Sequence, residues 1–135
     1  MNSNKYDVYK KVERLTCSNR ENEARVLTTG ALKLESCLEN IDSKDGRLDL
    51  HEALKYNQMI WTIFQSALMA PDCPWPPEAR SNMLKLSSFI DQQIFRAMAS
   101  PSPENLAPII EINHGLAKGL RANPKRPASI QAAAN

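Results

Sequence analysis

The stretch from Leu48 to Ala70, LDLHEALKYNQMIWTIFQSALMA, constrains the fold more than any other part of the chain. Leu50, Leu54, Asn57, Trp61, Phe64 and Leu68 recur at steps of three and four, which on an α-helix places them on one face. Ala53, Ile60, Ile63 and Ala67 widen that face beyond a narrow seam, so this helix is expected at the centre of the fold. Asp49, with Glu52 three residues on, reads as a capping box that opens the helix, and Pro71 closes it. At roughly 1.5 Å per residue the helix spans about 30 Å, the diameter of a small domain. Other helices have to be laid against it.

The chain offers three partners for that role. Ser18 followed by Glu21 forms a second capping-box pattern, and Ala24, Leu27, Ala31, Leu34, Leu38 and Ile41 follow it at helical spacing, predicting a first helix over about 19–41. Gly30 reads as a tolerated weak point in it. Residues 42–47, centred on Asp45-Gly46, read as the turn into the central helix. Beyond it, PDCPWPP at 71–77 removes four backbone donors and makes a stiff elbow carrying Trp75. Pro77 suits a helix first turn, and Ala79, Met83, Leu86, Ile90, Ile94 and Ala97 carry a third helix to about Ala99, with Phe89, Phe95 and Met98 broadening its apolar side. Ser100-Pro101-Ser102-Pro103 breaks the pattern. Leu106, Ile109, Ile110, Asn113, Leu116, Ala117 and Leu120 predict a last helix, capped by Ser102 or Asn105 and starting near 105, so that Pro108 falls in its first turn.

Four amphipathic segments joined by short connections, with no strand-like alternation, predict an all-α, four-helix antiparallel bundle over 18–121. Residues 1–17 are polar apart from Tyr6, Val8, Tyr9, Val12 and Leu15, and read as a partly ordered segment able to dock on the core or to stay mobile. The Pro-, Ala- and Asn-rich tail from 122 is expected to be disordered.

Length and charge narrow the function. At 135 residues the chain fits one domain able to bury a core without metal or disulfide staples. The formal charge of +2 exerts no general pull on nucleic acid, although basic residues gather at both ends. No apolar signal core opens the chain and no apolar run approaches the roughly 20 residues of a membrane span, so the chain reads as cytoplasmic, without membrane insertion. Cys17, Cys37 and Cys73 are widely spaced, with no CxxC pair, and read as reduced thiols.

No catalytic, cofactor-binding or metal-binding set stands out. The strongest decoy is the turn before the central helix, where Ser43, Asp45, Gly46, Leu48, Asp49 and Glu52 fit positions 3, 5, 6, 8, 9 and 12 of a calcium-binding EF-hand loop. Ile41 occupies position 1, which normally supplies a carboxylate, so at most this is a degenerate EF-hand-like loop. His51 and His114 are isolated, and the aromatics lie in apolar stripes instead of alternating with basic residues as RNA binding would want. A non-enzymatic binding protein remains. Asn57 and Asn113 interrupt the apolar stripes of the second and last helices, and a buried amide without partners costs on the order of 1 to 3 kcal/mol. Either the two bond within the bundle and fix its register, or they line a groove that meets a partner backbone.

Certain residues also carry a resemblance. Glu52-Ala53-Leu54-Lys55-Tyr56-Asn57 running into Ile60-Trp61-Thr62-Ile63-Phe64, the Pro-rich elbow, and Leu106-Ala107-Pro108-Ile109-Ile110-Glu111-Ile112-Asn113 with Gly119-Leu120 resemble the FlaF family of alphaproteobacterial flagellar proteins. Arg20-Glu21-Asn22-Glu23-Ala24 is similar to that family's opening. The match covers about 18–121. It implies a small cytoplasmic regulator of flagellin synthesis and flagellum assembly that needs no cofactor and acts with flagellin as a binding or secretion chaperone. The alternative is a post-transcriptional regulator that binds flagellin messenger RNA or an RNA-regulating partner, and another flagellin-regulating protein is a further candidate partner. Flagellin's terminal segments are, as the family implies, helical only after assembly, and a bundle with surplus apolar positions suits them by helix-in-groove binding. Met59, Met69, Met83 and Met98 are thioethers that repack at low cost, as core filler or as contacts. A partner-binding groove is expected near the elbow, from Met69, Trp75, Phe95 and Met98, with Asn57 and Asn113 behind it.

Overall fold

A computed structural model describes residues 20–122. It contains four α-helices: α1 (Arg20–Glu35), α2 (Lys44–Met69), α3 (Pro77–Ala99) and α4 (Pro103–Ala122), with a short 3-10 turn at Leu38–Asn40. No strand occurs among the described residues. The all-α bundle is as the periodicity predicts. Ser18 of the capping-box pattern ahead of α1, the segment 1–17 and the tail from 123 lie outside the described residues.

Each helix packs on the next in chain order, and α1 packs most extensively on α4, closing a four-membered ring. Glu21 lies 3.5 Å from Arg121 and Glu35 lies 3.4 Å from His114, so α1 and α4 run antiparallel. Leu50, Leu54, Trp61, Phe64 and Leu68 of α2 are all buried, as are Ala24, Leu27, Ala31 and Leu34 of α1. Against them lie Ile90, Ile94 and Ala97 of α3 and Leu106, Ile109, Ala117 and Leu120 of α4.

Helix α1 ends at Glu35, six residues short of the predicted boundary at 41. Ser36 Oγ and Cys37 Sγ turn back and donate to the Lys33 carbonyl at 2.9 and 3.2 Å, giving the chain an exit from the helix. The apolar pattern runs on regardless, because the turn and 3-10 segment still leave Leu38 half-buried and bring Ile41 into the core. A three-residue return satisfies either helix type, so periodicity could not register the break.

The start of α2 is earlier than the sequence pattern suggests. Ser43, extended at φ −83° and ψ 158°, is the N-cap, and its Oγ accepts from Gly46 N–H at 2.9 Å. The expected turn at 42–47 is therefore mostly the helix's first turn, and the Asp49–Glu52 pair sits exposed within the helix with no capping role. Gly46 owes its place to close approach: a Cβ there would collide with the Asn40 carbonyl oxygen.

In α4 the first-turn proline is Pro103, not Pro108. Ser102 caps it, its Oγ accepting from Asn105 N–H at 3.1 Å, while Asn105 Nδ2 donates to the Ser100 carbonyl at 2.7 Å. Pro108 lies inside the helix, where it withholds the N–H that would meet the Glu104 carbonyl. Helix α3 spans Pro77–Ala99 as predicted. Phe89 and Phe95 belong to its exposed side, not to the apolar face they were expected to broaden.

Candidate functional site

The centre of the bundle holds a closed polar network. Asn57 and Asn113 are both 0 % exposed. Asn57 Nδ2 donates to the carbonyls of Ala53 and Gly30, at 2.9 and 3.1 Å, and its Oδ1 accepts from Asn113 Nδ2 at 2.6 Å. Asn113 Nδ2 also donates to the Leu27 carbonyl at 3.2 Å, and Asn113 Oδ1 accepts from Trp61 Nε1 at 3.0 Å. Both amides and the indole N–H are thus satisfied across α1, α2 and α4, the within-bundle arrangement of the two weighed above. Satisfied, such a network rigidifies a core; broken, it leaves costly orphans.

The network depends on Gly30. A Cβ at this position would come within 2.5 Å of Asn57 Oδ1 and 2.9 Å of Asn113 Nδ2, so α1 reaches the amides only because residue 30 has no side chain. The sequence marks Gly30 as a helix weak point; its packing role could have been inferred only by pairing it with the two asparagines.

One end of the bundle is different. The N-terminus of α1, the C-terminus of α2, the elbow, the first half of α3 and the end of α4 meet around a cleft of about 380 Å³, counting the space open to solvent. Phe64 and Leu68 come from α2, Trp75 from the elbow and Met83 from α3. Leu27 from α1 and Leu116 and Leu120 from α4 complete an almost wholly apolar lining. Phe64 meets the Trp61 ring edge-on at 5.8 Å, so the floor of the cleft is fixed by the same indole that donates to Asn113.

Among the described residues, the one ionisable group in the lining is Glu23. It is 5 % exposed, and burial pushes its carboxyl up to about 8, against the opposing pull of the Arg20 guanidinium. Nothing in the pattern of α1 singled this residue out, since Glu23 reads as an ordinary first-turn acid.

The predicted groove residues do not all converge here. Trp75 lines the cleft and packs on Ala79. Met98 packs half-buried against the main core. Met69 and Phe95 are 70 % and 75 % exposed and line no part of the cleft. Phe95 lies 18 residues into α3, roughly 27 Å along the axis from the elbow. Asn57 and Asn113 are sealed beneath the surface. Phe64, Leu68 and Met83 take the places near the elbow that Met69 and Phe95 were expected to fill.

The suspected calcium loop is helical from Lys44, its fourth position, so positions 4 to 12 do not wrap a central point. Among the described residues no group of three or more His, Cys, Asp or Glu side chains is placed to hold a metal ion, and no helix is long and apolar enough to cross a membrane.

No curated protein and no solved structure is found to match the chain. The family model described as flagellar protein FlaF matches residues 5–120. That span takes in the first three helices, the fourth as far as Leu120, the asparagine network and the elbow cleft, and the chain belongs to the FlaF family of flagellar proteins.

Proposed function

We propose that this protein binds unassembled flagellin by seating the apolar face of one of its amphipathic helical segments in the elbow cleft, and so regulates flagellin supply as a non-enzymatic, chaperone-like partner in the cytoplasm. The observation that carries the reading is the cleft itself: an apolar, open-sided hollow between four helix ends in a protein of the flagellar system. Its apolar, open-sided lining suits apolar side chains protruding from a helix face, and that is how helix-in-groove recognition works. Met83 at its edge adapts its shape at low cost, and Trp75 offers a large flat anchor of the kind that dominates binding energy.

The test is a pair of variant sets measured for affinity to purified monomeric flagellin. Met83→Lys and Trp75→Ala, both at partly buried positions, should each weaken binding roughly tenfold or more, about 1.4 kcal/mol per decade. Met69→Ala and Phe95→Ala should leave it unchanged. If the second set were the damaging one, the contact would lie on the exposed side of α3 and not in the cleft.

A further inference from the structure

Glu23 is the misfit in the wall of the elbow cleft. It lines an otherwise apolar hollow while only 5 % exposed. Among the described residues, the sides contributed by α2, the elbow, α3 and α4 carry no titratable group at all. Arg20, on the same helix, is the one charge whose field lowers the titration of Glu23, and burial outweighs it. No hydrogen bond from a described residue holds the carboxyl in its ionised form. With its titration pushed up to about 8, the group is mostly neutral at pH 7, and a neutral carboxyl is an O–H donor and a carbonyl acceptor in one.

Such a group discriminates among the side chains that a seated helix sets against it. An aliphatic side chain seals the O–H away from water without answering it, and a buried donor left unanswered weakens the complex. An acid brings a second carboxyl into an apolar site, where one more charge has to be desolvated or one more proton taken up. A lysine or arginine demands the ionised form of Glu23, which the cleft disfavours even with Arg20 nearby. An amide meets none of these costs. Its oxygen accepts from the carboxyl O–H, its N–H donates to the carboxyl's other oxygen, and no charge leaves water.

We propose that Glu23 sets the specificity of the elbow cleft by pairing its carboxyl with a side-chain amide, Asn or Gln, carried within the apolar face of the seated helix. That flagellin supplies the helix rests on the reading above; the preference for an amide does not. Glu23 thereby makes the cleft selective in a way that its apolar walls cannot, since apolar burial alone ranks partners by area and shape.

The experiment has two arms, both on the full chain and on Glu23→Gln, with circular dichroism checking the fold at each pH. In the first, affinity for purified monomeric flagellin is measured at about pH 6.5 and about pH 9. By pH 9 a group titrating near 8 is about nine-tenths ionised, so binding by the native chain should weaken roughly tenfold, while Glu23→Gln, which cannot ionise, should show no such loss. The same loss in both proteins would overturn the proposal, and so would tighter binding at high pH by the native chain alone, which would assign a cation to Glu23. In the second arm the probes are synthetic amphipathic helical peptides that differ only at the centre of the apolar face, where each carries Gln, Leu or Glu. At pH 6.5 the native chain should prefer the Gln peptide to the other two by roughly tenfold, and Glu23→Leu should reverse the order of Gln and Leu. Equal affinity for the three peptides, or binding of none, would overturn the proposal. The Gln preference without flagellin binding at either pH would uphold the role of Glu23 and sink the flagellin reading alone.

Discussion

The middle of the bundle and its elbow end are built from the same helix stripes and reach opposite outcomes. At the middle, Gly30, Asn57, Trp61 and Asn113 bring three helices together with every side-chain polar group answered and none exposed. At the end, Trp75, Met83 and Leu116 keep partly exposed apolar surface over buried Phe64 and Leu68, beside an acid with a displaced titration. Hydrogen bonds are directional and make register unique, so they suit the part that must not move. Dispersion and apolar burial are forgiving of shape, so they suit the part proposed to meet another molecule. Trp61 joins the two regions, donating to Asn113 on one side and backing Phe64 on the other.

The largest effect should come from breaking that joint. Trp61 is 0 % exposed, and Trp61→Ala removes a buried ring and strands the Asn113 oxygen, at about 3 to 5 kcal/mol, a large share of a small domain's stability. Chemical denaturation measures it directly. A loss under about 1 kcal/mol would mean that the middle is not the rigid region described.

The open end should reveal itself through pH. Glu23 is raised from 4.5 to about 8, so between those values the folded state holds a proton that the unfolded chain has released, and stability declines as pH rises. The contribution is complete below about 4.5 and lost above about 8, a span on the order of a few kcal/mol. Melting temperature recorded across that window should fall for the native chain, and Glu23→Gln should flatten the decline. An equal slope in both proteins would assign it to other groups.

The smallest effects separate the regions by sign. Alanine is favoured over glycine in a helix by about 1 kcal/mol. A Cβ at Gly119, near the cleft end of α4, would meet nothing within 4 Å, so Gly119→Ala should stabilise by about 0.5 to 1 kcal/mol. At Gly30 the same change drives into Asn57 and Asn113 and should cost about 1 to 3 kcal/mol despite the better propensity. Paired thermal melts check both, and a stabilising Gly30→Ala would show the network to be loose.

The same contrast explains how far the sequence could be read. Buried stripes have a period, so Leu50 to Leu68 in α2 and Ile90 to Ala97 in α3 were legible, as were the elbow and the buried asparagines. Capping was less so. Ser43 holds α2 through a Ser-x-x-Gly pattern without the reciprocal acid, while Asp49–Glu52 imitates a cap from inside the helix. The cleft was the least legible feature, because Met83 and Leu116 keep the same helical spacing as core residues and only the packing around the elbow leaves them partly uncovered. Phe95 misled for the complementary reason: an apolar residue on a helix is not thereby on its buried side.

The central claim is that the functional surface is the apolar end and not the basic residues, and the salt dependence of binding tests it most directly. Affinity of the full chain for monomeric flagellin, and separately for flagellin messenger leader RNA, would be measured at about 50 and about 200 mM salt. Apolar burial predicts flagellin binding that changes little over this range, whereas a contact made through six or more phosphates loses roughly a thousandfold or more. Salt-tolerant flagellin binding is the expected result. No flagellin binding at either salt, with steeply salt-sensitive RNA binding in its place, would contradict the account.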